Sequence, residues 1–198
     1  MMNKNKLIHV LLAGLLAYVP NVFADKAVFA GGCFWCMESD FEKLEGVTDV
    51  ISGFTGGTIK NPTYQGDHTG HYEAVEVTYD PKKVSYKQLL DHYWVNIDPF
   101  DARGQFCDKG FAYLSAIFVA NNKEKMLAEK SRQAVVKQFP KKKVVTPILK
   151  ASTFYPIKGK ESYHQNYYKT HSARYKFYRW SCGRDQRLKD IWGDKANH

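Results

Sequence analysis

The chain has 198 residues, of which 44% are hydrophobic and 15% aromatic, so it can form one domain with its own apolar core. This composition excludes a disordered protein, and four cysteines are too few for a small domain held together by disulfides. The formal net charge of +9 leaves nucleic acid open as a partner until the distribution of that charge is considered.

The first 24 residues match the pattern of a secretory signal peptide. A basic N-terminal segment with Lys4 and Lys6 precedes an apolar run at 7–19, and the sequence VFA that ends at Ala24 fits a small-residue cleavage site. The run is shorter than the roughly 20 residues that a membrane span needs, so cleavage is favoured over an uncleaved anchor. We therefore predict export to the periplasm or the extracellular space, without stable membrane insertion. A single domain would remain at 25–198, with a tail from about residue 172.

The first predicted strand, at 26–32, is short and apolar and ends in a glycine turn. A helix is predicted from Cys33, because apolar side chains recur every three or four residues until Gly46. Cys33 is therefore expected where a strand passes into a helix N-terminus. That position supplies unpaired N–H groups and partial positive charge, so we expect a lowered pKa for the Cys33 thiol.

Strands and helices alternate along the next hundred residues, which favours the α/β class. Ser85 and either Asn121 or Asn122 are expected to cap the two helices, and Pro147 suits an edge strand or a bulge. The predicted strands are 46–57, 72–81, 113–120 and 143–150, and the predicted helices are 85–97 and 122–139.

The last fifty residues show weaker patterns. From about Ser152 the chain is predicted to be less regular, with short helical pieces at 161–171 and 184–193. Much of the positive charge lies at 141–143 and at 169–180, where basic and aromatic residues interleave as in some nucleic-acid-binding segments. An exported protein seldom meets nucleic acid, and signal cleavage removes two lysines and no acid, which lowers the charge from +9 to +7. We therefore interpret these segments as a solvated basic face and predict no nucleic-acid partner.

The stretch GGCFWCME places Cys33 and Cys36 three positions apart. A structural zinc site needs four ligands, usually from two such pairs, and His68 and His71 are more simply explained as polar loop residues. A thiol–disulfide couple is possible, although the two bulky aromatic residues between the cysteines are unusual for one. A reactive nucleophile is the third interpretation, with the aromatic side chains forming an apolar wall for a small substrate group.

Five segments narrow this choice: GGCFWCMESDFEKLEGV, GFTGGTIKNPTY, TGHYEAVEVTYDP, DPFDARGQFCDKGFAYLSAIF and YHQNYY, at about 27–170. In this order they resemble the A-type peptide methionine sulfoxide reductases. The resemblance implies a two-layer α/β sandwich with a mixed sheet, built on a ferredoxin-like plait, and an irregular C-terminal extension. It also implies thiol-dependent reduction of methionine S-sulfoxide, free or in proteins, as repair of oxidative damage. No metal and no organic cofactor are implied.

The same resemblance implies roles for individual residues. Cys33 aligns with the family's nucleophile and Glu73 with its general acid. A sulfoxide oxygen leaves only when protonated, and a carboxyl group beside an apolar pocket has a raised pKa that lets it donate that proton. Tyr64 and Tyr113 align with the tyrosines that hold the sulfoxide oxygen. Asp108 aligns with the acidic residue that orients these hydrogen bonds. Phe34 and Trp35 align with the aromatic residues that enclose the methyl group.

A second thiol must convert the sulfenic acid left on Cys33 into a disulfide. Many family members carry glycine in place of Cys36, which here lies one helical turn from Cys33. We rank Cys36 first as the resolving thiol, Cys182 second and Cys107 third, and a relay among them would move the oxidising equivalent to an exposed disulfide. The expected electron donor is a thioredoxin-like dithiol protein, periplasmic or membrane-tethered if the chain is exported. The chain is expected to act as a monomer.

Two features of the sequence limit this interpretation. The loop from Tyr64 to Thr69 is shorter than in many family members. The segment FCDKGFAY also differs from the more common, more polar family sequence before the tyrosine. Access of the substrate to the site is therefore expected to differ from that in other members.

The main alternative is a general thiol–disulfide oxidoreductase that uses Cys33 and Cys36 and makes no methionine. The second alternative is the basic binding module.

Overall fold

The computed structural model describes residues 24–196, so the predicted signal peptide, apart from Ala24, lies outside the described residues. The described residues form eight strands: β1 Asp25–Gly31, β2 Val47–Thr55, β3 Tyr72–Tyr79, β4 Gly104–Gln105, β5 Asp108–Lys109, β6 Ser115–Val119, β7 Ile148–Lys150 and β8 Tyr155–Pro156. Six of them make one sheet in the order β7-β6-β1-β3-β2-β8, and β4 pairs with β5 separately. Only β6 and β7 run parallel, so the large sheet is mixed, as predicted.

Within residues 24–196, six α-helices accompany the sheet: α1 Phe34–Phe41, α2 Tyr86–Val95, α3 Asn122–Gln138, α4 Tyr167–Thr170, α5 Ser172–Ser181 and α6 Arg184–Trp192. Ser85 caps α2 in a reciprocal capping box with Gln88, and Asn121 caps α3 by accepting the Glu124 N–H, so both predicted caps are confirmed. Pro147 directly precedes the edge strand β7, as its missing N–H requires. No helix between residues 24 and 196 combines the length and apolar character needed to span a membrane.

The two faces of the sheet are covered differently because side chains alternate along each strand. One face carries large buried residues such as Phe29 and Val77, which pack in the main core with α1, α2, α3 and α6. The other face carries a smaller cluster in which Ala30, Ala74 and Ala116 pack with Tyr72 and Phe118. The helices of the main core dock on the first face, and the result is the expected two-layer α/β architecture.

The C-terminal extension is more helical than the sequence suggested. α5 occupies part of the stretch that we interpreted as a solvated basic face, and that interpretation is wrong for Tyr175 and Arg179, which are 6% and 7% exposed. The reason is an acid elsewhere in the chain, since Arg179 Nη1 lies 2.9 Å from Oδ1 of Asp40, on α1. Arg184 of α6 lies 3.8 Å from the same carboxylate, so one buried acid ties both terminal helices to α1.

We expect replacement of Asp40 to lower the free energy of unfolding considerably. Burial alone would raise the pKa of Asp40, but Arg179 and Arg184 outweigh it and lower the pKa, so the carboxylate is charged in the folded protein. Asp40→Asn keeps the shape but removes the buried negative charge that faces Arg184 and Arg179, and it leaves Arg179 its ion pair with Asp185. We expect a loss of about 3–5 kcal/mol in the free energy of unfolding, measured by urea denaturation. The matched control is Asp91→Asn, at an exposed pair with Lys87, which should cost less than about 1 kcal/mol. Equal losses in the two variants would contradict this role of Asp40.

Candidate active site

The turn between β1 and α1 places Cys33 at the start of the helix. Gly32 adopts a φ of +83°, and a Cβ there would lie 2.6 Å from Cβ of Gln105, so only glycine fits. Cys33 is the N-cap of α1, with non-helical backbone angles and a carbonyl that accepts the N–H groups of Cys36 and Met37. The predicted strand-to-helix position of Cys33 is therefore confirmed.

The expectation of a lowered pKa for the Cys33 thiol is wrong. Cys33 and Cys36 are free thiols, only 6% and 1% exposed. Burial, then the hydrogen bond and charge of Cys36, then the charge of Glu73, raise the pKa of Cys33 well above its ordinary value. The hydrogen bond from Cys33, with the positive charge of Arg184 and Arg179, lowers the pKa of Cys36 to about 7 despite its burial. The hydrogen bond between the two thiols thus opposes ionisation of Cys33 and favours ionisation of Cys36.

Glu73, on β3, is held beside the nucleophile. Its carboxyl group is 2% exposed and accepts the backbone N–H of Phe34, the residue after Cys33, at 3.1 Å. Burial raises the pKa of Glu73 to about 8, the charges of Asp108 and Cys36 add to this rise, and the Phe34 hydrogen bond only partly opposes it. The expected raised pKa is therefore found, and the carboxyl group is mainly protonated at neutral pH.

Two tyrosines share the surroundings of Glu73. Tyr64 lies in the loop between β2 and β3, and its ring centroid is 6.0 Å from that of Phe34. Burial and the charges of Glu73 and Cys33 raise the pKa of Tyr64 to about 12. Tyr113 ends a short 3-10 helix before β6, and burial followed by the charge of Glu73 raises its pKa strongly too. Both hydroxyl groups therefore stay protonated as donors near the carboxyl group and the thiol.

Asp108 is held by a residue that the sequence did not single out. The Tyr178 hydroxyl, on α5, donates to Oδ2 of Asp108 at 2.5 Å. Tyr178 also lies within hydrogen-bonding reach of the Cys33 thiol, and this interaction opposes part of the rise in the pKa of Cys33. Burial raises the pKa of Asp108 while this hydrogen bond lowers it. Tyr178 thus joins the acid to the nucleophile, although its sequence context of alternating basic and aromatic residues suggested only a solvated surface.

Phe34 and Trp35, the two aromatic residues that follow Cys33, have different surroundings. Phe34 is 1% exposed and packs in the main core. The indole N–H of Trp35 donates to Nδ1 of His164 at 3.0 Å, and its ring stacks on Tyr167 with centroids 3.8 Å apart. His164 is a second residue that sequence reasoning missed, because the motif YHQNYY supported the resemblance without a role for each member. It closes the site between Trp35 and Tyr64, whose ring centroid lies 4.0 Å away.

The remaining cysteines are joined to each other. Cys107 and Cys182 form a disulfide with their Cα atoms 4.9 Å apart, and Cys107 is the more exposed of the two. The second- and third-ranked resolving candidates are therefore paired, while Cys36 keeps a free thiol beside Cys33.

The zinc interpretation of Cys33 and Cys36 finds no support in the positions of the two histidines. His71 accepts the Gly57 N–H and contacts the Ile59 carbonyl, and His68 contacts the Thr63 carbonyl, so both rings serve loop backbone. Between residues 24 and 196, three potential metal ligands cluster only at Cys107, Asp108 and Cys182, where both sulfurs belong to the disulfide.

Comparison with known proteins gives a consistent result. The family model described as peptide methionine sulfoxide reductase matches residues 25–196. A peptide methionine sulfoxide reductase MsrA 2 from Caulobacter vibrioides is 50% identical over 92% of this chain and 94% of its own length. The enzyme named MsrA from Bacillus subtilis is 46% identical over 85% and 96%. Among solved structures, methionine sulfoxide reductase A of Corynebacterium diphtheriae is 30% identical with a TM-score of 0.67, covering 78% of this chain and 77% of that one. Reduced Mxr1 from Saccharomyces cerevisiae is 25% identical with a TM-score of 0.69, covering 78% and 89%.

Proposed function

This chain belongs to the peptide methionine sulfoxide reductase family and reduces methionine sulfoxide to methionine, and we propose that it does so with Cys33 as nucleophile and Glu73 as acid. The observation that carries the assignment is the hydrogen bond from the Phe34 N–H to Glu73, which holds a protonated carboxyl group one residue from a buried thiol. We propose the S epimer as the substrate, free or in oxidised proteins.

The chemical step transfers one oxygen atom. Glu73 protonates the sulfoxide oxygen, because its raised pKa keeps the proton available at neutral pH. The Cys33 sulfur attacks the substrate sulfur and gives its own proton to the neighbouring Cys36 thiolate, with which it already shares a hydrogen bond. The protonated oxygen then passes from the substrate sulfur to the Cys33 sulfur as the bond between the two sulfur atoms breaks, so methionine departs and Cys33 carries the oxygen as a sulfenic acid. The sulfoxide is reduced by two electrons and the thiol is oxidised by two.

The surrounding side chains position this step. Tyr64 and Tyr113 present protonated hydroxyl groups that stabilise the polarised sulfur–oxygen bond. Asp108 orients the network through Tyr178. Trp35 forms the apolar wall for the methyl group and Phe34 supports this wall from the core side, next to Tyr64 and His164. The Trp35 ring is fixed by its contacts with the C-terminal residues.

The activity is tested by incubating the fully reduced protein with S- or R-methionine sulfoxide and counting methionine formed and thiols lost. We expect methionine from the S epimer only, with two thiols lost per methionine. A general thiol–disulfide oxidoreductase would exchange disulfides and release no methionine, which would contradict the assignment.

Cys36 is our proposed resolving thiol. Its sulfur is free and hydrogen-bonded to Cys33, and its pKa of about 7 lets it lose the proton taken from Cys33 again at neutral pH, which restores a nucleophilic thiolate. It attacks the sulfenic acid sulfur of Cys33, a disulfide forms and one water molecule leaves. We expect Cys36→Ser to release about one methionine per enzyme in a single turnover and to turn over slowly thereafter. Rapid-quench and steady-state assays separate the two phases. Wild-type multiple turnover in the variant would move the resolving role to Cys182 or Cys107.

We further propose that the oxidising equivalent then passes to the outer pair. The Tyr178 hydroxyl contacts both the Cys33 thiol and Asp108, which is next to Cys107 in the chain, so the two cysteine pairs adjoin the same network. Exchange of the Cys33–Cys36 disulfide with the reduced Cys107 and Cys182 thiols would oxidise the outer pair and restore both inner thiols. A thioredoxin-like dithiol protein is the proposed donor that reduces the outer disulfide.

Export of the protein is proposed from the pattern of residues 1–24. Support comes from the match of the family model, which begins at residue 25, and from β1, which begins at Asp25. Expression in a bacterium with a secretion system, followed by N-terminal sequencing of the periplasmic fraction, should identify Asp25 as the first residue. Recovery of the full-length chain from the cytoplasm would contradict the proposal.

A further inference from the structure

We propose that Glu161 is a positioning residue for the reduction of the sulfoxide, which fixes the hydroxyl group of Tyr64 in the active site by binding the backbone of the loop that carries it. Glu161 lies in the short 3-10 helix Gly159–His164, 97 residues after Tyr64 in the chain. The inference rests on the proposed function, in which the Tyr64 hydroxyl stabilises the polarised sulfur–oxygen bond of the substrate.

The carboxylate of Glu161 binds two consecutive backbone amides. Its Oε2 accepts the N–H of Tyr64 at 2.8 Å, and its Oε1 accepts the N–H of Gln65 at 2.9 Å. Hydrogen bonds from an N–H group to a carboxylate are about twice as strong as those between neutral groups. Because each oxygen binds a different amide, the contact fixes the orientation of the backbone at Tyr64 as well as its distance from the helix.

The loop that carries Tyr64 connects β2 to β3 across residues 56–71. Within the described part of the chain, the other hydrogen bonds of residues 57–71 join members of this loop to one another. The rings of Tyr64 and His68 also pack on side chains outside the loop, but such contacts are less directional than hydrogen bonds. The two hydrogen bonds to Glu161 therefore set the position of the loop backbone at Tyr64.

The helix that carries Glu161 also holds the wall of the methyl pocket. His164, at the end of this helix, accepts the indole N–H of Trp35 at 3.0 Å, and its ring centroid lies 4.0 Å from that of Tyr64. Tyr64 and Trp35 are thus attached to the same short helix. The hydroxyl group for the sulfoxide oxygen and the ring for the methyl group are therefore held in one arrangement, which a substrate sulfur with both substituents requires.

The residues that follow this helix anchor it to the core. The side chain of Gln165 accepts the Ser52 N–H at 2.9 Å and donates to the Ser52 carbonyl at 2.7 Å, so it is bound to the backbone of β2. The N–H of Asn166 donates to Oε1 of Glu38, on α1, at 2.8 Å. The helix is therefore fixed to a central strand and to the helix that begins at the nucleophile. Such a support is what a precisely placed site residue needs.

The first test measures methionine formation in a single turnover, with fully reduced enzyme and saturating methionine S-sulfoxide, so that no reductant affects the rate. Glu161→Gln keeps the size of the side chain, but its amide nitrogen would face a backbone N–H, so one hydrogen bond is lost. We expect the rate constant to fall about tenfold, because a displacement of about 1 Å in a positioning group can cost about a hundredfold. The matched control is Glu129→Gln, at an exposed carboxylate on α3, which should leave the rate unchanged. Equal rates in wild type and Glu161→Gln would overturn the inference.

A double-mutant cycle shows whether Glu161 acts through Tyr64. Tyr64→Phe alone removes the hydroxyl group and should lower the rate. In that background Glu161→Gln should cause less than about a twofold further loss, because no hydroxyl group remains to be positioned. A further loss of the full tenfold, or an unchanged rate in Tyr64→Phe alone, would overturn the inference and leave the proposed function standing. A wild-type protein that makes no methionine would instead overturn the proposed function itself.

Amide hydrogen exchange, followed by NMR, tests the same contact without an activity measurement. In Glu161→Gln the amides of Tyr64 and Gln65 should exchange at least about tenfold faster than in the wild type. The amide of Val75, on the central strand β3, should keep its protection, which also establishes that the variant folds. Unchanged exchange at Tyr64 and Gln65 would contradict the role of Glu161 in holding this loop.

Discussion

Cys33→Ser is expected to abolish methionine formation, with a loss of more than about a thousandfold in rate. Serine keeps the shape of the side chain, but its hydroxyl is a far weaker nucleophile and cannot form the sulfenic acid or the disulfide that complete the cycle. The expected loss is in the first chemical step, so it should appear with dithiothreitol as well as with a protein reductant. Single-turnover measurement of methionine gives the direct result.

The matched control for this variant is Cys182→Ser, which removes a thiol outside the chemical step. It should still release about one methionine per enzyme, because Cys33, Cys36 and Glu73 are unchanged. Circular dichroism and urea denaturation would establish that both variants fold. Methionine formation by Cys33→Ser at the wild-type rate would show that the nucleophile is another cysteine.

Glu73→Gln is expected to reduce the rate of methionine formation by about 10²–10⁴-fold, the usual contribution of a positioned general acid. The amide can still contact the Phe34 N–H through its oxygen, but it cannot deliver a proton to the sulfoxide. The wild-type rate should therefore fall as the pH rises through about 8, where Glu73 loses its proton. In Glu73→Gln, this fall in rate with rising pH should be absent. If the variant shows the same fall as the wild type, the group that titrates is not Glu73.

The same pKa predicts a difference in stability between the two proteins. The folded state binds the Glu73 proton more tightly than the unfolded chain does, since the pKa rises from 4.5 to about 8 on folding. The stabilising contribution of protonated Glu73 is then complete below about pH 4.5 and is lost as the pH rises to about 8. The free energy of unfolding should decline over this range more steeply in the wild type than in Glu73→Gln. Parallel pH dependences would indicate that Glu73 titrates normally.

Local sequence patterns correctly predicted where several helices begin and which residues cap them. The Gly-Gly turn and the helical spacing after it placed Cys33 at a helix start, because both signals involve residues within a few positions of one another. The caps at Ser85 and Asn121 were found for the same reason. α5 was missed, since its apolar positions are few and its buried Arg179 resembles a surface residue until Asp40 is placed beside it.

The site was only partly accessible to the same reasoning. Motif resemblance supplied the candidates Glu73, Tyr64 and Tyr113, whereas local periodicity by itself would have suggested a solvated strand carboxylate at Glu73. His164 and Tyr178 were missed because each acts through a partner far away in the chain, Trp35 at a separation of 129 residues and Asp108 at 70.

The sequence by itself determined the order of the longer strands and helices from β1 to β7, the thiol at the start of α1 and the family to which the chain belongs, because these depend on short-range spacing and on residue identity. Only the tertiary structure decided the protonation of the site. A helix N-terminus favours a thiolate at Cys33, but burial and the arginines brought in by α5 and α6 move the negative charge to Cys36. The tertiary structure also decided that Cys107 forms a disulfide with Cys182, 75 residues away in the chain. Desolvation and long-range pairing depend on which distant segments pack together, and no local pattern in the sequence contains that information.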